Sequence, residues 1–101
     1  MNPGKQHAII TRAISHYGHE RQLVKAAEEA AELSAAILRW HMTPEQETLK
    51  GLITEMADMY VMTRQLHMIL YDVEEELRGE VMDMVDYKLS RLERRMDNDD
   101  A

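Results

Sequence analysis

This chain of 101 residues carries 12 basic and 19 acidic side chains, a formal net charge of −7 with histidine neutral, and no cysteine. Its length is that of one small domain, and its acidity excludes a general nucleic-acid binder, which needs a basic face to neutralise phosphates. The lack of cysteine excludes disulfides, thiolate zinc sites and cysteine nucleophiles.

The composition favours a helical protein. No apolar run approaches the roughly 20 residues that span a bilayer, and no apolar stretch of the kind found in signal peptides follows the N-terminus. We therefore expect a cytoplasmic location and no membrane partner. Nine Met, two Pro and four Gly, with few β-branched residues, are typical of helices. The predicted fold is all-α, a four-helix-type bundle that forms one domain over residues 1–101.

The first two predicted helices are separated by a glycine. The first helix spans about Gln6 to His16 and ends near Gly18, a residue suited to a helix C-terminus. The second spans about Glu20 to Met42. Apolar and small residues recur at helical spacing along one side of the second helix, and they are Leu23, Ala27, Ala30, Ser34, Ile37, Leu38 and His41.

Two further helices are predicted from capping patterns. Thr43, followed by proline, is expected to cap a third helix over about 44–71. Asp72, followed three residues later by a glutamate, is expected to cap a fourth helix over about 72–96. The remaining residues, 97–101, are predicted to form a frayed tail.

The third predicted helix is apolar around nearly its whole circumference. A helix of this kind must be buried on several sides. One chain of four helices covers only part of such a surface, so we predict self-association as a homodimer or homotetramer. The apolar residues are Leu49, Leu52, Ile53, Met56, Met59, Tyr60, Met62, Leu66, Ile69 and Leu70.

Two acids interrupt this apolar helix. Glu55 and Asp58 are three residues apart and share a helical face with Met62, Leu66 and Ile69. Buried charges of like sign are costly, so a cation, basic side chains or protonation must neutralise the pair.

The second helix carries a further group of acids, Glu28, Glu29 and Glu32, the last two again three residues apart. The surrounding alanines allow another helix to approach closely. Two facing helices that each provide a carboxylate pair can enclose a hard divalent cation such as Mg²⁺. The three glutamates also lie opposite the apolar stripe, and a solvated charged face shared with basic residues such as Lys25 explains them equally well.

Together the acids form the pattern EExxE…ExxD, which resembles the signature of MazG-like all-α nucleoside triphosphate pyrophosphohydrolases. Residues 25–33 look like the metal helix of that family, and residues 55–59 look like its partner helix. Residues 87–96 are similar to the basic closing helix of small, phage-type members. The resemblance covers nearly the whole of the range 22–96.

The resemblance implies cleavage of a nucleoside triphosphate between its α- and β-phosphates, which gives a nucleoside monophosphate and pyrophosphate. It implies that Glu29, Glu32, Glu55 and Asp58 bind Mg²⁺, with Mn²⁺ as an alternative. Glu28 is the candidate to orient or deprotonate the attacking water. No motif in the sequence identifies the base of the substrate.

Phosphate groups also need cations from the protein. Lys88 is predicted on the apolar side of the fourth helix and Arg91 on the adjoining edge, which makes both phosphate candidates. Basic residues that complement the dipole of a solvated helix C-terminus explain them equally well. Lys25, one turn before Glu28, either binds phosphate or holds the carboxylates in place.

A function from a different class fits the same sequence. A non-catalytic helical oligomer, acting as an interaction scaffold or an antitoxin-like protein, needs the helices and their association but no metal. A family member that binds metal and nucleotide without turnover lies between the two. Mg²⁺-dependent release of pyrophosphate distinguishes the enzyme from both alternatives.

Overall fold

The computed structural model describes residues 1–99, which contain four α-helices and no strand. The helices are α1 (Pro3–Tyr17), α2 (His19–Met42), α3 (Gln46–Val73) and α4 (Leu77–Asp99). The prediction of an all-α chain with four helices is confirmed over these residues.

The structure consists of two compact units, of which the first is residues 1–69 and the second begins at Leu70. The assignment of residues 1–101 to a single domain stays a prediction. The first unit holds α1, α2 and most of α3. The second unit holds the end of α3 and α4. Residues 97–99, predicted as part of a frayed tail, are the last residues of α4, and residues 100 and 101 lie outside the described residues.

Local sequence sets both ends of α1. The Asn2 side-chain oxygen accepts a hydrogen bond from the Lys5 backbone N–H at 2.8 Å, and Pro3 lies in the first turn, where its missing N–H has no consequence. Gly18 ends the helix at a φ of 88°, a conformation that L side chains rarely adopt. The Gly18 N–H donates to the Ile14 carbonyl at 2.8 Å. The predicted break at Gly18 is therefore confirmed.

The connection between α2 and α3 differs from the predicted cap. Thr43 ends α2, because its N–H donates to the Arg39 carbonyl at 2.9 Å. The Thr48 hydroxyl accepts from the Glu45 N–H at 3.0 Å and donates to the Thr43 carbonyl at 2.7 Å. This hydroxyl organises the turn in place of Thr43, and α3 begins at Gln46. The predicted cap at Thr43 is wrong.

The predicted cap at Asp72 is also wrong, because α3 continues to Val73. The Glu74 N–H still donates to the Leu70 carbonyl at 3.0 Å, which closes the last turn of α3. The Leu77 N–H donates to the Glu74 carbonyl at 3.1 Å, and α4 begins there. Asp72 therefore lies within the last turn of α3 and does not begin α4.

A small apolar core holds the first unit together. Ile10 and Ile14 of α1 pack with Ile69 of α3, and all three are at most 6% exposed. The buried apolar residues of α2 are alanines, Ala26 and Ala36. Because alanine is short, these positions allow neighbouring helices to lie close to the α2 backbone.

The predicted apolar stripe of α2 faces outward in the chain. Every residue of that stripe is exposed, with Leu23 and Ile37 at 47% and Leu38 at 57%. The opposite side, with Ala26 and Glu29, is buried. The packed side of α2 is therefore its small and acidic side. Large apolar residues are also exposed on α3, namely Leu49, Ile53, Met56, Tyr60 and Val61.

In the second unit, none of the residues of α4 is buried. Leu77 and Val81 are half-buried, and the other side chains of this helix are exposed. None of the helices described in residues 1–99 has both the length and the apolar character needed to cross a bilayer.

Shortening Ile69 to alanine should destabilise the first unit. Ile69 is 4% exposed, so the I69A substitution leaves a cavity in the core. Such a cavity lowers the free energy of unfolding by about 2–5 kcal/mol, measurable by urea denaturation followed by circular dichroism. Ile9→Ala is the matched control, because Ile9 is 47% exposed on α1 and should lose less than about 0.5 kcal/mol. Equal losses in the two variants would contradict the assigned core.

Candidate metal centre

Three carboxylates converge from two helices of the first unit. Glu29 and Glu32 of α2 and Glu55 of α3 each place one oxygen so that the three atoms lie within 4.8 Å of one another. Glu29 and Glu32 are neighbours on one side of α2 because they are three residues apart. We call these three residues the acidic cluster. Oxygen atoms in this arrangement could hold a metal ion.

Two oxygens of the acidic cluster are buried and lack a donor. Glu29 is 6% exposed and Glu55 is half-buried. Within residues 1–99, no group hydrogen-bonds to Glu29 Oε2 or to Glu55 Oε2. An unsatisfied buried polar group costs about 1–3 kcal/mol, and a charged one costs more. A cation between the carboxylates would satisfy both oxygens at once.

Lys25 compensates part of the negative charge. Its Nζ lies 3.1 Å from Glu29 Oε1, one turn away on α2. The hydrogen bond and the negative charge of Glu29 raise the pKa of Lys25 and keep its ammonium charged. Of the two roles left open by the sequence, this ion pair supports the one in which Lys25 holds a carboxylate in place. One ammonium cannot balance three carboxylates.

Repulsion among the three carboxylates changes the pKa of Glu32. The neighbouring charges of Glu29 and, second, of Glu55 raise the pKa of the Glu32 carboxyl. Proton uptake therefore relieves the repulsion when no cation does so. A divalent cation removes the same repulsion and competes with that proton.

The other predicted site residues lie outside the acidic cluster. Asp58 is one turn after Glu55 on α3 and is exposed, and Glu28 is exposed on α2. Lys88 and Arg91 belong to the second unit, where both side chains are exposed on α4. The structure thus brings together three of the four predicted ligands, and the roles of the remaining residues stay predictions.

A buried amide pair, which is absent from the predicted site residues, links the same two helices. Gln22 Nε2 of α2 donates to Gln65 Oε1 of α3 at 2.6 Å, and the two side chains are 6% and 5% exposed. Gln65 Nε2 in turn donates to Met62 Sδ at 3.6 Å. The buried positions 22, 26, 29 and 36 of α2 follow helical spacing, so periodicity contained the signal. That signal was obscured because two of the four residues are polar.

Comparison with known proteins adds no relative: no family model, no curated protein and no solved structure matches the chain. An all-carboxylate set of ligands suits hard cations such as Mg²⁺ and Mn²⁺ and is poorly suited to soft, thiophilic metals.

Replacing Glu32 by glutamine should stabilise the metal-free protein at neutral pH. The raised pKa means that the folded protein holds this proton more tightly than the unfolded chain. Protonation of Glu32 therefore adds to the stability of the folded protein. This contribution is fully present below the ordinary glutamate pKa, and it is lost as the pH rises through the raised pKa of Glu32. In EDTA at pH 7, the melting temperature of Glu32→Gln should exceed that of the native protein, and the difference should shrink as pH falls through this window.

The control for this experiment is Glu93→Gln, the same change at an exposed position of α4. Its effect on the melting temperature should lack the pH dependence expected of the Glu32 variant. A Glu32→Gln effect of constant size between acidic and neutral pH would contradict the assigned repulsion.

Proposed function

We propose that this protein is a Mg²⁺-dependent nucleoside triphosphate pyrophosphohydrolase that cleaves its substrate between the α- and β-phosphates. The observation that carries the proposal is the pair of buried oxygens without donors, Glu29 Oε2 and Glu55 Oε2, in a group of three carboxylates. The order and spacing of the acids, which resemble those of the MazG-like family, support the same conclusion. The products would be a nucleoside monophosphate and pyrophosphate.

In this proposal Glu29, Glu32 and Glu55 hold the metal, Mg²⁺ or Mn²⁺, with Asp58 as the fourth ligand suggested by the resemblance. The bound metal would neutralise charge on the phosphate oxygens. Lys25 holds the carboxylate of Glu29 through its ion pair. We therefore assign its ammonium to positioning this metal ligand and not to binding phosphate.

Glu28 is proposed to act on the attacking water. It precedes Glu29 on α2 and its side chain is exposed, so its carboxylate is accessible to solvent beside the acidic cluster. A carboxylate there can accept the proton that the water loses as its oxygen bonds to phosphorus. The phosphate-binding role of Lys88 and Arg91, which belong to the second unit, is proposed from the sequence alone.

Replacing Glu55 by glutamine should abolish this activity without harming the fold. The substitution keeps the shape of the side chain and removes one negative charge from the acidic cluster, so the metal-free melting temperature should stay unchanged or rise. Pyrophosphate release should fall at least about 100-fold, because even residues that only support a metal ligand contribute 10- to 100-fold. The assay uses a panel of ribo- and deoxyribonucleoside triphosphates with and without Mg²⁺.

The matched control is Glu47→Gln, which makes the same change at an exposed position in the first turn of α3. It should retain the native rate. Mg²⁺ should raise the melting temperature of the native protein and of this control, but not that of Glu55→Gln. If no nucleotide is hydrolysed and Mg²⁺ leaves the native melting temperature unchanged, the enzyme proposal is wrong.

The exposed apolar residues of the first unit support association of the chain with itself. Leu23, Ile37 and Leu38 form one apolar surface on α2, and Ile53 and Tyr60 belong to another on α3. Large apolar side chains exposed along one side of a helix are typical of sites of protein association. We propose a homodimer or homotetramer. The same observation favours the second candidate function, a non-catalytic helical scaffold or antitoxin-like protein, if the metal tests fail.

Placing a charge on the apolar surface of α2 should dissociate the oligomer. The native chain should have at least twice its monomer mass of 11.8 kDa in solution, measured by light scattering or sedimentation. Leu38→Glu introduces a carboxylate at a position that is 57% exposed in the single chain, so it should yield monomers that remain folded. Ser15→Glu, at an exposed polar position of α1, is the control and should keep the native mass. A native mass of one chain would contradict the proposal.

A further inference from the structure

An open cleft lies within the first unit, beside the residues that flank the acidic cluster. Its volume is ≈ 1070 Å³, and it is lined by residues from α1, α2 and α3. Lys25 and Glu28, the residues next to the acidic cluster along α2, line one part of it, and Tyr17 lines another. Pockets for small ligands commonly enclose about 300–1,000 Å³, so this space is large enough for a nucleoside.

The buried amide pair of Gln22 and Gln65 lines this cleft. Each side chain is at least nine-tenths buried, and the two amides are linked by one hydrogen bond. One N–H of the Gln65 side-chain amide donates to the thioether sulfur of Met62, which is a weak acceptor. A planar ligand edge that offers a carbonyl oxygen or ring nitrogen is a better acceptor for this amide. The two glutamines therefore provide polar groups of the kind that recognise a heterocycle.

A flat cationic surface is present at another part of the cleft. The Arg21 guanidinium lies over the Tyr17 ring, with its central carbon 5.0 Å from the ring centroid, and both residues line the cleft. Guanidinium planes and aromatic rings are the surfaces on which proteins stack nucleobases. Tyr17 is 48% exposed, so part of its ring is accessible to a ligand.

The charges of the cleft favour an uncharged ligand group over a triphosphate. Two bases, Arg21 and Lys25, are balanced by two acids, Glu20 and Glu28, among the lining residues. Lys25 is in addition already paired with Glu29. A phosphate chain would find little net positive charge there, whereas a neutral heterocycle can use the amides and the stacking surface.

The spacing along α2 matches the length of a nucleotide. Gln22 and Glu29 are seven residues apart, so they lie on one side of the helix about two turns, or roughly 10 Å, from each other. A nucleotide separates its base from its phosphates by a comparable distance. A base at the amide pair would therefore leave the phosphates near the acidic cluster.

We infer that the cleft is the binding site for the nucleobase of the substrate, with the Gln22–Gln65 amide pair recognising the edge of the base and Tyr17 with Arg21 providing the stacking surface. This inference rests on the proposed function, since it names the second half of the ligand that the acidic cluster would bind. It also predicts binding of nucleosides that have no phosphate and need no metal.

The test is a titration of the ¹⁵N-labelled full chain with uncharged nucleosides in the presence of EDTA, using adenosine, guanosine, cytidine, uridine and thymidine. The side-chain amide signals of Gln22 and Gln65 should shift saturably with at least one of them. The amide of Gln46, which is exposed at the start of α3, is the internal control and should not shift.

The matched variant is the double substitution Gln22→Leu with Gln65→Leu. Because it replaces both partners of the buried hydrogen bond by apolar groups of similar size, it avoids leaving one amide unsatisfied and should fold. It should bind the nucleoside at least about tenfold more weakly, as expected for the loss of one to two hydrogen bonds. In the pyrophosphate assay its KM should rise by the same factor, while the shift in melting temperature caused by Mg²⁺ is retained.

The two proposals fail in different ways. If triphosphates are hydrolysed but no nucleoside shifts the two glutamine amides, and the double variant keeps the native KM for every nucleotide, the inference about the cleft is overturned and the enzymatic function stands. If nucleosides bind and the double variant loses that binding while no triphosphate is hydrolysed, the cleft inference stands and the proposed hydrolysis is wrong.

Discussion

The repulsion among three carboxylates held close together is the constraint on which the rest of the first unit depends. Glu29, Glu32 and Glu55 bring oxygen atoms within 4.8 Å of one another, and Glu29 is 6% exposed. A protein gains nothing in stability by burying like charges, and buried unpaired acids are among the most costly groups in a fold. Other contacts must therefore hold α2 and α3 together at the acidic cluster, and a bound cation, as proposed, would offset the repulsion.

Those other contacts lie on either side of the acidic cluster along the two helices. Ala26 and Ala36 are small, which allows close packing on the buried side of α2. The Gln22–Gln65 hydrogen bond links α2 to α3 about two turns away from Glu29 along α2. Lys25 pairs with Glu29, the most buried acid. These contacts hold α2 and α3 so that the three carboxylates stay close to one another. Side chains fixed in this way by their neighbours are what a binding site requires.

The predictable parts of the structure were those set by strong local rules. The conformational freedom of Gly18 predicts the end of α1, and the position of Glu55 among apolar residues of α3 predicts an acid that is partly buried. The caps predicted at Thr43 and Asp72 are wrong. The hydroxyl of Thr48, five residues after Thr43, organises the connection between α2 and α3 instead. The helical hydrogen bonds of α3 continue past Asp72. Hydropathy predicts the wrong packed side for α2, since the more apolar side of this helix is the exposed one and two of the four buried residues are polar.

The exposure of the apolar side of α2 links the acidic cluster to the proposed association of the chain with itself. One side of the helix carries Glu29 and packs, while the other carries Leu23, Ile37 and Leu38 and is exposed. In a single chain, the hydrophobic effect acting on α2 therefore opposes the orientation that the acidic cluster requires. If a second copy of the chain covered the apolar side, the hydrophobic effect would favour the orientation of α2 in which Glu29 faces α3. The oligomer would stabilise α2 in the position that keeps its carboxylates facing α3.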